Sequence, residues 1–255
     1  VEAFFEQDST RARIGYRIYK DSDDVDIDVD LFMGDIDKMI KLKLPILTDG
    51  DLIGQTMFGT QKLFTNAKEN VAHRFIAIDK GDGKNCPVLM NKDVYGSHYE
   101  NGALYMSLVR GITYCAHPIK DRELIPSDKF TKKVDQGENS YSFRLSVANR
   151  SSLERRAQQF VQKPYALNAF PIPVDTSSVI PFEVTVDGDT VSCSAIKKAD
   201  GRDALIFRLV NNTETAVSSA ICVNGVTLEL AFGKYEVKTV LWENETLYEA
   251  DEMLI

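Results

Sequence analysis

Few side chains in this sequence are of types that do chemistry, and their spacing restricts them further. There are three histidines, His73, His98 and His117, and four cysteines, Cys86, Cys115, Cys193 and Cys222. A zinc centre draws on three or four His, Cys or carboxylate ligands, usually at short spacings. The chain has no H-E-x-x-H and no C-x-x-C, and Cys115-x-His117 supplies two ligands at most. That stretch reads better as a strand end with one thiol buried. No G-x-S-x-G elbow, Gly-rich phosphate loop or dinucleotide fingerprint is present. Gly81-Asp82-Gly83 reads as a turn. Asp and Glu together number 38, and two carboxyls flanking a glycosidic bond are what glycoside hydrolysis needs. Asp135-Gln136-Gly137-Glu138-Asn139 is a polar cluster just ahead of a strand. It is either a loop that enters that strand or a loop that lines a site.

These residues must be positioned by strands, because alternation with period two dominates the chain. In Val25-Asp26-Ile27-Asp28-Val29-Asp30-Leu31 the apolar residues would face a core and the three aspartates the opposite side. A calcium loop is the other use of D-x-D-x-D, but it needs a sharp Gly turn and a distal Glu; here β-branched residues fill the gaps. Ile40–Leu44 alternates again after a turn near Gly34-Asp35-Ile36. A hairpin centred between Asp35 and Ile36 would set Asp30 against Lys41, Asp28 against Lys43, Val29 against Leu42 and Ile27 against Leu44. Further strands are expected at Ala12–Lys20, Arg74–Asp79, Cys86–Asn91, Ala103–Arg110 and Ser140–Ala148. One helix is expected near 151–163. Ser151-x-x-Glu154 is a capping box, Leu153, Ala157, Phe160 and Val161 form its apolar stripe, and Pro164 stops it.

Prolines 164, 171, 173 and 181 then punctuate the chain. From Phe182 onward come short strands and tight turns. Asp187-Gly188 and Asn224-Gly225 are expected hairpin turns, since a type I′ turn needs positive φ at both central residues. The first would pair Val184 with Val191 and Phe182 with Cys193. The second would pair Val223 with Val226 and Ile221 with Leu228. The resulting division is 1–175 and 180–255, with a boundary near Val174–Pro181.

With 255 residues and 28.6 kDa the chain can bury a sizeable core without a staple. The net charge of −8 speaks against a nucleic-acid backbone or an anionic membrane as principal partner. No apolar run approaches the ~20 residues of a membrane span. The four cysteines read as buried free thiols of a reducing compartment, which points to the cytoplasm. The sequons at Asn149, Asn211 and Asn244 carry little meaning there. The chain opens on Val, without leader character, and is expected to be cut from a longer one.

Several stretches in order resemble glycoside hydrolase family 38, the zinc-dependent retaining α-mannosidases, and within it the bacterial branch with mannosylglycerate hydrolase. Asn91-Lys92-Asp93-Val94-Tyr95-Gly96 is similar to the family's N-D-x-x-Y-G. Leu104–Arg110 is similar to L-x-x-S-L-L-R, Tyr114–Pro118 to Y-x-A-H-P, and Asp135–Glu138 to D-Q-G-E. Met57-Phe58-Gly59 and Ala72-His73-Arg74-Phe75 match P-F/Y-G and A-H-R-W. Leu205–Thr213 and Phe232–Thr239 resemble I-x-R-L-x-N-x-T and P-x-E-I-K-T. Asn139 and Phe75 depart from the His and Trp of many relatives, so no acid–base or stacking role goes to either.

The resemblance implies a mainly β fold: part of a mutarotase-like supersandwich, then a smaller antiparallel β-sandwich. It implies a non-catalytic C-terminal portion of an α-mannosidase. The nucleophilic Asp and the zinc ligands would lie in N-terminal catalytic and helical domains of the same enzyme, which would be the partners of this chain. The chain alone would bind no cofactor and be inactive. The intact enzyme would act on α-mannosides by double displacement, with zinc holding sugar hydroxyls. The β region would close one side of the pocket, with Arg110, Tyr114, His117, Asp135, Gly137 and Glu138 at its rim. A homo-oligomer stays open. Two alternatives remain. One is a free-standing carbohydrate-binding or structural module, although the single Trp242 reads as core rather than a sugar platform. The other is a mutarotase-like epimerase drawing on His73, His117 and Glu138.

Overall fold

The computed structural model describes residues 1–46, 49–112, 133–162, 164–165 and 182–251. The chain divides into two compact units, Val1–Gly54 with Lys62–Asn149 and Gln55–Gln61 with Arg150–Ile255. The boundary expected near residues 174–181 lies outside the described residues.

The first unit contains β1 (Glu2–Gln7), β2 (Thr10–Ile18), β3 (Val25–Met33), β4 (Met39–Pro45), β5 (Asp51–Thr56), β6 (Gly59–Lys62), β7 (Asn70–Val71), β8 (Phe75–Asp79), β9 (Asn85–Asn91), β10 (Gly96–Glu100), β11 (Ala103–Arg110) and β12 (Gly137–Asn149). The tip of the β5–β6 hairpin groups with the second unit. One sheet runs β1-β2-β3-β12-β9-β8-β5-β6 and a smaller one β4-β11-β10-β7. Alternate residues of the two sheets meet in one core, with Ile27, Val29 and Leu31 from β3, Leu42 and Leu44 from β4, Leu104 and Met106 from β11, and Phe143 from β12. The expected strands at 12–20, 74–79, 86–91, 103–110 and 140–148 all form, with ends shifted by a few residues.

The expected hairpin between β3 and β4 does not form. β3 pairs with β2 and β12, whereas β4 pairs with β11 in the other sheet. The faces were read correctly, since Ile27, Val29, Leu42 and Leu44 share a core, but the strands meet through side chains and not through backbone. The connection explains it. Within Gly34–Lys38 only Asp37 is left-handed, at φ 58°, so no two-residue primed turn returns the chain beside itself. The aspartates find their cations elsewhere, on the flanking strands. Arg13 reaches Asp30 at 3.1 Å, Arg17 pairs with Asp28, and Arg144 clasps Asp26 through two bonds of 2.6 and 3.0 Å.

The second unit holds α1 (Leu153–Val161), β13 (Val184–Val186), β14 (Val191–Lys198), β15 (Leu205–Asn211), β16 (Val217–Val223), β17 (Val226–Phe232), β18 (Val237–Glu243) and β19 (Thr246–Ala250). Sheets β13-β16-β17 and β14-β15-β18-β19 enclose a core of Val191, Phe207, Leu209, Ile221, Val223, Leu230, Phe232, Val240 and Leu247. Trp242 packs against that core. Asn224-Gly225 makes the expected turn, with φ of 47° and 85°, and pairs Val223 with Val226 and Ile221 with Leu228. Asp187-Gly188 does not, because only Gly188 is left-handed. β13 pairs with β16, and β14 with β15.

The helix buries Leu153, Ala157 and Phe160 as its stripe demands, but the capping box is absent. Ser152, not Ser151, is the N-cap, and it makes no side-chain cap bond. The Glu154 carboxylate instead accepts from Gln55 Nε2 at 2.5–2.6 Å. No helix among the described residues is long and apolar enough to cross a membrane.

Candidate functional site at one end of the first unit

The expected rim residues begin from turn chemistry. β11 ends at Arg110, and Gly111 follows in a space only glycine fits. A Cβ there would lie 2.6 Å from the Asp35 carbonyl oxygen and 2.8 Å from Met33 Cε. That close approach lets Gly111 exchange backbone bonds with the β3–β4 connection, Asp37 N to Gly111 O at 2.6 Å and Gly111 N to Lys38 O at 2.8 Å. The chain enters β12 through Asp135 and Gly137, both left-handed, at φ 57° and 93°. Gln136 Nε2 donates to the Asp35 carbonyl at 2.9 Å, and the Asp135 carboxylate accepts from the Arg110 backbone N–H at 3.3 Å. Lys133 pairs with Asp37 at 2.7 Å.

The structure thus brings Arg110, Asp135 and Gly137 to one end of the unit, fastened to the β3–β4 crossing. Asp35 anchors that crossing. Its carboxylate accepts from Thr10 Oγ1 at 2.7 Å and Ser9 Oγ at 2.9 Å, and Lys38 lies 3.6 Å away. Chiefly the Thr10 bond holds its carboxyl below the ordinary value. Burial raises the Tyr141 phenol, helped by the charge of Asp135; its hydroxyl donates to the Leu108 carbonyl at 3.2 Å. Asp135, Gln136 and Asn139 therefore spend their side chains on the turn itself. The Arg110 guanidinium and the Glu138 carboxylate are the groups left for a ligand, since among the described residues neither makes a hydrogen bond or ion pair. Glu138 stands opposite Phe32 in the β3–β12 register. It lines an open groove of about 570 Å³ with Phe4, Arg11 and Phe32, where the Arg11 guanidinium lies 5.4 Å from the Phe32 ring centre. Tyr114 and His117 lie outside the described residues, as does Cys115.

The other motif residues turn out to hold loops. Asn91 is 1% exposed; its amide donates to the His73 carbonyl at 2.8 Å and accepts from the Val94 N–H at 3.0 Å. Asn211 is fully buried; it donates to the carbonyls of Thr215 and Gly233 and accepts from Thr213 N and Oγ1. His73 sits beside Tyr95 with ring centres 5.6 Å apart. Glu138 is five residues along β12 from Phe143, which faces Asn91, about 17 Å at strand rise. His73 and Glu138 therefore do not flank one sugar ring. A charged cluster that pattern reading missed lies on the outer face of the smaller sheet. Lys41 Nζ is 2.9 Å from His98 Nδ1, Glu69 pairs with both, and His98 stacks on Tyr105 at 4.4 Å. The signal was there in Lys41, His98 and Tyr105, but it becomes visible only once β4 is known to pair in β11's sheet.

Among the described residues no group of three or more His, Cys, Asp or Glu side chains could hold a metal. Cys86, Cys193 and Cys222 are free thiols. Burial raises the Cys193 thiol, which disfavours the reactive thiolate.

No protein-family model matches the chain, and no curated protein matches it. Solved structures do. A glycosyl hydrolase family 38 protein from Enterococcus faecalis superposes with a TM-score of 0.72 at 13% identity, over 92% of this chain and 30% of that one. An α-mannosidase from Enterococcus faecalis V583 superposes with a TM-score of 0.70 at 12% identity, over 92% of this chain and 29% of that one. The fold of this chain is that of a part, less than a third in length, of these glycosyl hydrolase family 38 structures.

Proposed function

We propose that this chain is the C-terminal β portion of a larger, zinc-dependent retaining α-mannosidase. Its role is to support N-terminal catalytic and helical domains and to shape one wall of the sugar pocket. The observation that carries the reading is the superposition over 92% of this chain on a family 38 structure more than three times its length. The order of the sequence motifs supports it independently. In this reading Arg110 and Glu138 present a guanidinium and a carboxylate to sugar hydroxyls, Asp135 and Gly137 set the turn that holds them there, and Tyr114 and His117 complete the rim. The chain performs no bond-breaking step and is inactive alone. The intact enzyme works in the cytoplasm, where its thiols stay reduced.

The test is the coding DNA upstream of Val1, followed by an assay. An in-frame extension carrying the His and Asp ligands and the nucleophilic Asp is expected. The intact product should hydrolyse 4-nitrophenyl α-mannoside and the present chain should not. In the intact enzyme Arg110→Ala should raise KM severalfold with little change in kcat. A coding sequence that begins at Val1, or turnover by this chain alone, overturns the reading.

A further inference from the structure

The charged cluster on the outer face of the smaller sheet has no part in the glycosidase reading, and register builds it. Leu42, Leu44, Leu104 and Met106 point into the core, so Lys41, Lys43, Tyr105 and Ser107 point outward. Tyr105 stands between His98 on β10 and Lys43 on β4, and Ser107 stands opposite Lys41. Glu69 comes from the chain just ahead of β7, where Asn70 pairs with Ser97, the neighbour of His98.

The contacts fix one state of the His98 ring. Lys41 Nζ lies 2.9 Å from His98 Nδ1. An ammonium only donates, so Nδ1 accepts and the single ring proton sits on Nε2. The same ammonium pairs with Glu69 Oε1. The other Glu69 oxygen accepts from Ser107 Oγ at 3.3 Å, and Oε1 itself is 3.6 Å from Nδ1. Nδ1 therefore faces two groups with opposite demands. The ammonium needs its lone pair, and the carboxylate would take an N–H.

The charged and titratable neighbours of this ring come from each element around it. β4 supplies Lys41 and Lys43, β11 supplies Tyr105, the chain ahead of β7 supplies Glu69, and β10 itself carries Glu100 two residues on. Lys68, next to Glu69, lies over the Phe64 ring instead. Lys43 Nζ is 5.5 Å from the Tyr105 ring centre and has no carboxylate partner among the described residues. The His98 ring is stacked on Tyr105, 5° from parallel with centres 4.4 Å apart, and its side chain is 15% exposed. It cannot turn away from its neighbours. Glu69, with a side chain 53% exposed, and Lys41, with a four-carbon stem, can move.

Imidazoles gain their second proton between about pH 8 and pH 5. On His98 that proton goes to Nδ1. It removes the lone pair that Lys41 uses and sets two positive charges side by side. We propose that His98 is a pH switch whose protonation hands the Glu69 carboxylate from Lys41 to His98 and releases Lys41. The Lys41–Nδ1 bond breaks, and an Nδ1–H bond to Glu69 replaces it. The face then changes from a cluster closed on itself to two unpaired ammonium groups, those of Lys41 and Lys43, two residues apart on β4. The inference does not rest on the glycosidase reading.

The experiment is a long-range proton–nitrogen NMR titration of the isotope-labelled 255-residue chain from about pH 8 to pH 5. His98→Gln identifies the His98 ring signals, and Lys41→Met the Lys41 ammonium signal. At the upper pH the ring should carry its proton on Nε2, and Lys41 should give a slowly exchanging ammonium signal. At the lower pH both ring nitrogens should be protonated, and the Lys41 signal should be lost to exchange with water. Glu69→Gln removes the group that receives the imidazolium and should move the His98 transition to lower pH. Lys41→Met removes the rival cation and should move it to higher pH. Loss of fold does not shift one ring in opposite directions, and unchanged backbone amide signals of β10 and β11 check it. A ring protonated on Nδ1 at the upper pH, or still neutral at the lower, overturns the proposal. So does a Lys41 signal indifferent to the His98 transition, or variants that shift that transition the same way.

Discussion

Two connections in this molecule look equally convincing on paper. The β3–β4 connection joins alternating strands whose acids and lysines can be aligned pair by pair. The β16–β17 connection has a two-residue Asn-Gly and little else. Only the second is a hairpin. Asn224 and Gly225 are both left-handed, and that local geometry alone returns the chain beside itself. At β3–β4 the charge alignment is real as a pattern, but it decides nothing. An exposed ion pair is worth only ~0.2–1 kcal/mol, which is too little to choose a strand's neighbour against the burial of Ile27, Val29, Leu42 and Leu44 from opposite sides of one core. Backbone conformation at the turn fixes the neighbour, and apolar periodicity fixes the face.

The comparison can be broken most severely at Arg144. Asp26 is 8% exposed and takes its two bonds from that guanidinium, with a third from Tyr19 at 2.6 Å. Removing one partner of a buried pair strands the other, so Arg144→Met should cost about 3 kcal/mol in urea unfolding. Burial pushes the Asp26 carboxyl up, but the bonds from Arg144 and Tyr19 outweigh that and hold it below its ordinary value. A depressed carboxylate stabilises the fold above its unfolded pKa, about 4, and that stability is lost as pH falls through the folded value. The wild type should therefore lose stability on acidification below that point more steeply than Asp26→Asn.

At the second connection, Asn224→Ala puts alanine at φ 47° and removes the bond that Asn224 Oδ1 accepts from Glu183 N at 2.9 Å. About 1–2 kcal/mol should be lost. A double-mutant cycle sharpens the contrast from the other side. Arg13 with Asp30 should show a coupling near 0.5 kcal/mol, and Lys41 with Asp30 none beyond error. The smallest effect belongs to the turn that only resembles a hairpin. Asp187→Ala, exposed and not left-handed, should change stability by less than about 0.5 kcal/mol.

What could be read from the sequence follows from the same distinction. The strands, their faces, the helix stripe and the Asn224-Gly225 turn are local or periodic features, and each is recorded in residue order. Neighbours across a sheet are not recorded there. Arg144 stands beside Asp26 and Ser142 beside Asp28, and no short-range pattern connects them. The site divides the same way. The Asp135–Glu138 turn could be located, and its fastening to Asp35 through Gly111 could not, because the fit of a bare α-carbon against a carbonyl is a tertiary fact. The motif asparagines turn out to be structural. Asn91 and Asn211 lie in the stretches that carry the family resemblance, and each spends its hydrogen bonds on the loops around it.

The place of β3 between β2 and β12 also sets a schedule. Arg144 and Asp26 are 118 residues apart, and at a synthesis rate of about 5–20 residues per second roughly 6–24 s separate their appearance at the ribosome. β1, β2 and β3 can join as a meander during that interval, while β3 waits with one side unpaired. An unpaired strand of Val, Ile and Leu invites pairing with any other nascent chain. Here every second residue is an aspartate: Asp30 and Asp28 already meet Arg13 and Arg17 of β2, and Asp26 is left as a charge on the waiting strand, which opposes pairing with a copy of itself. The carboxylate of Asp26, which later binds Arg144, thus guards the half-made sheet until its fourth strand arrives.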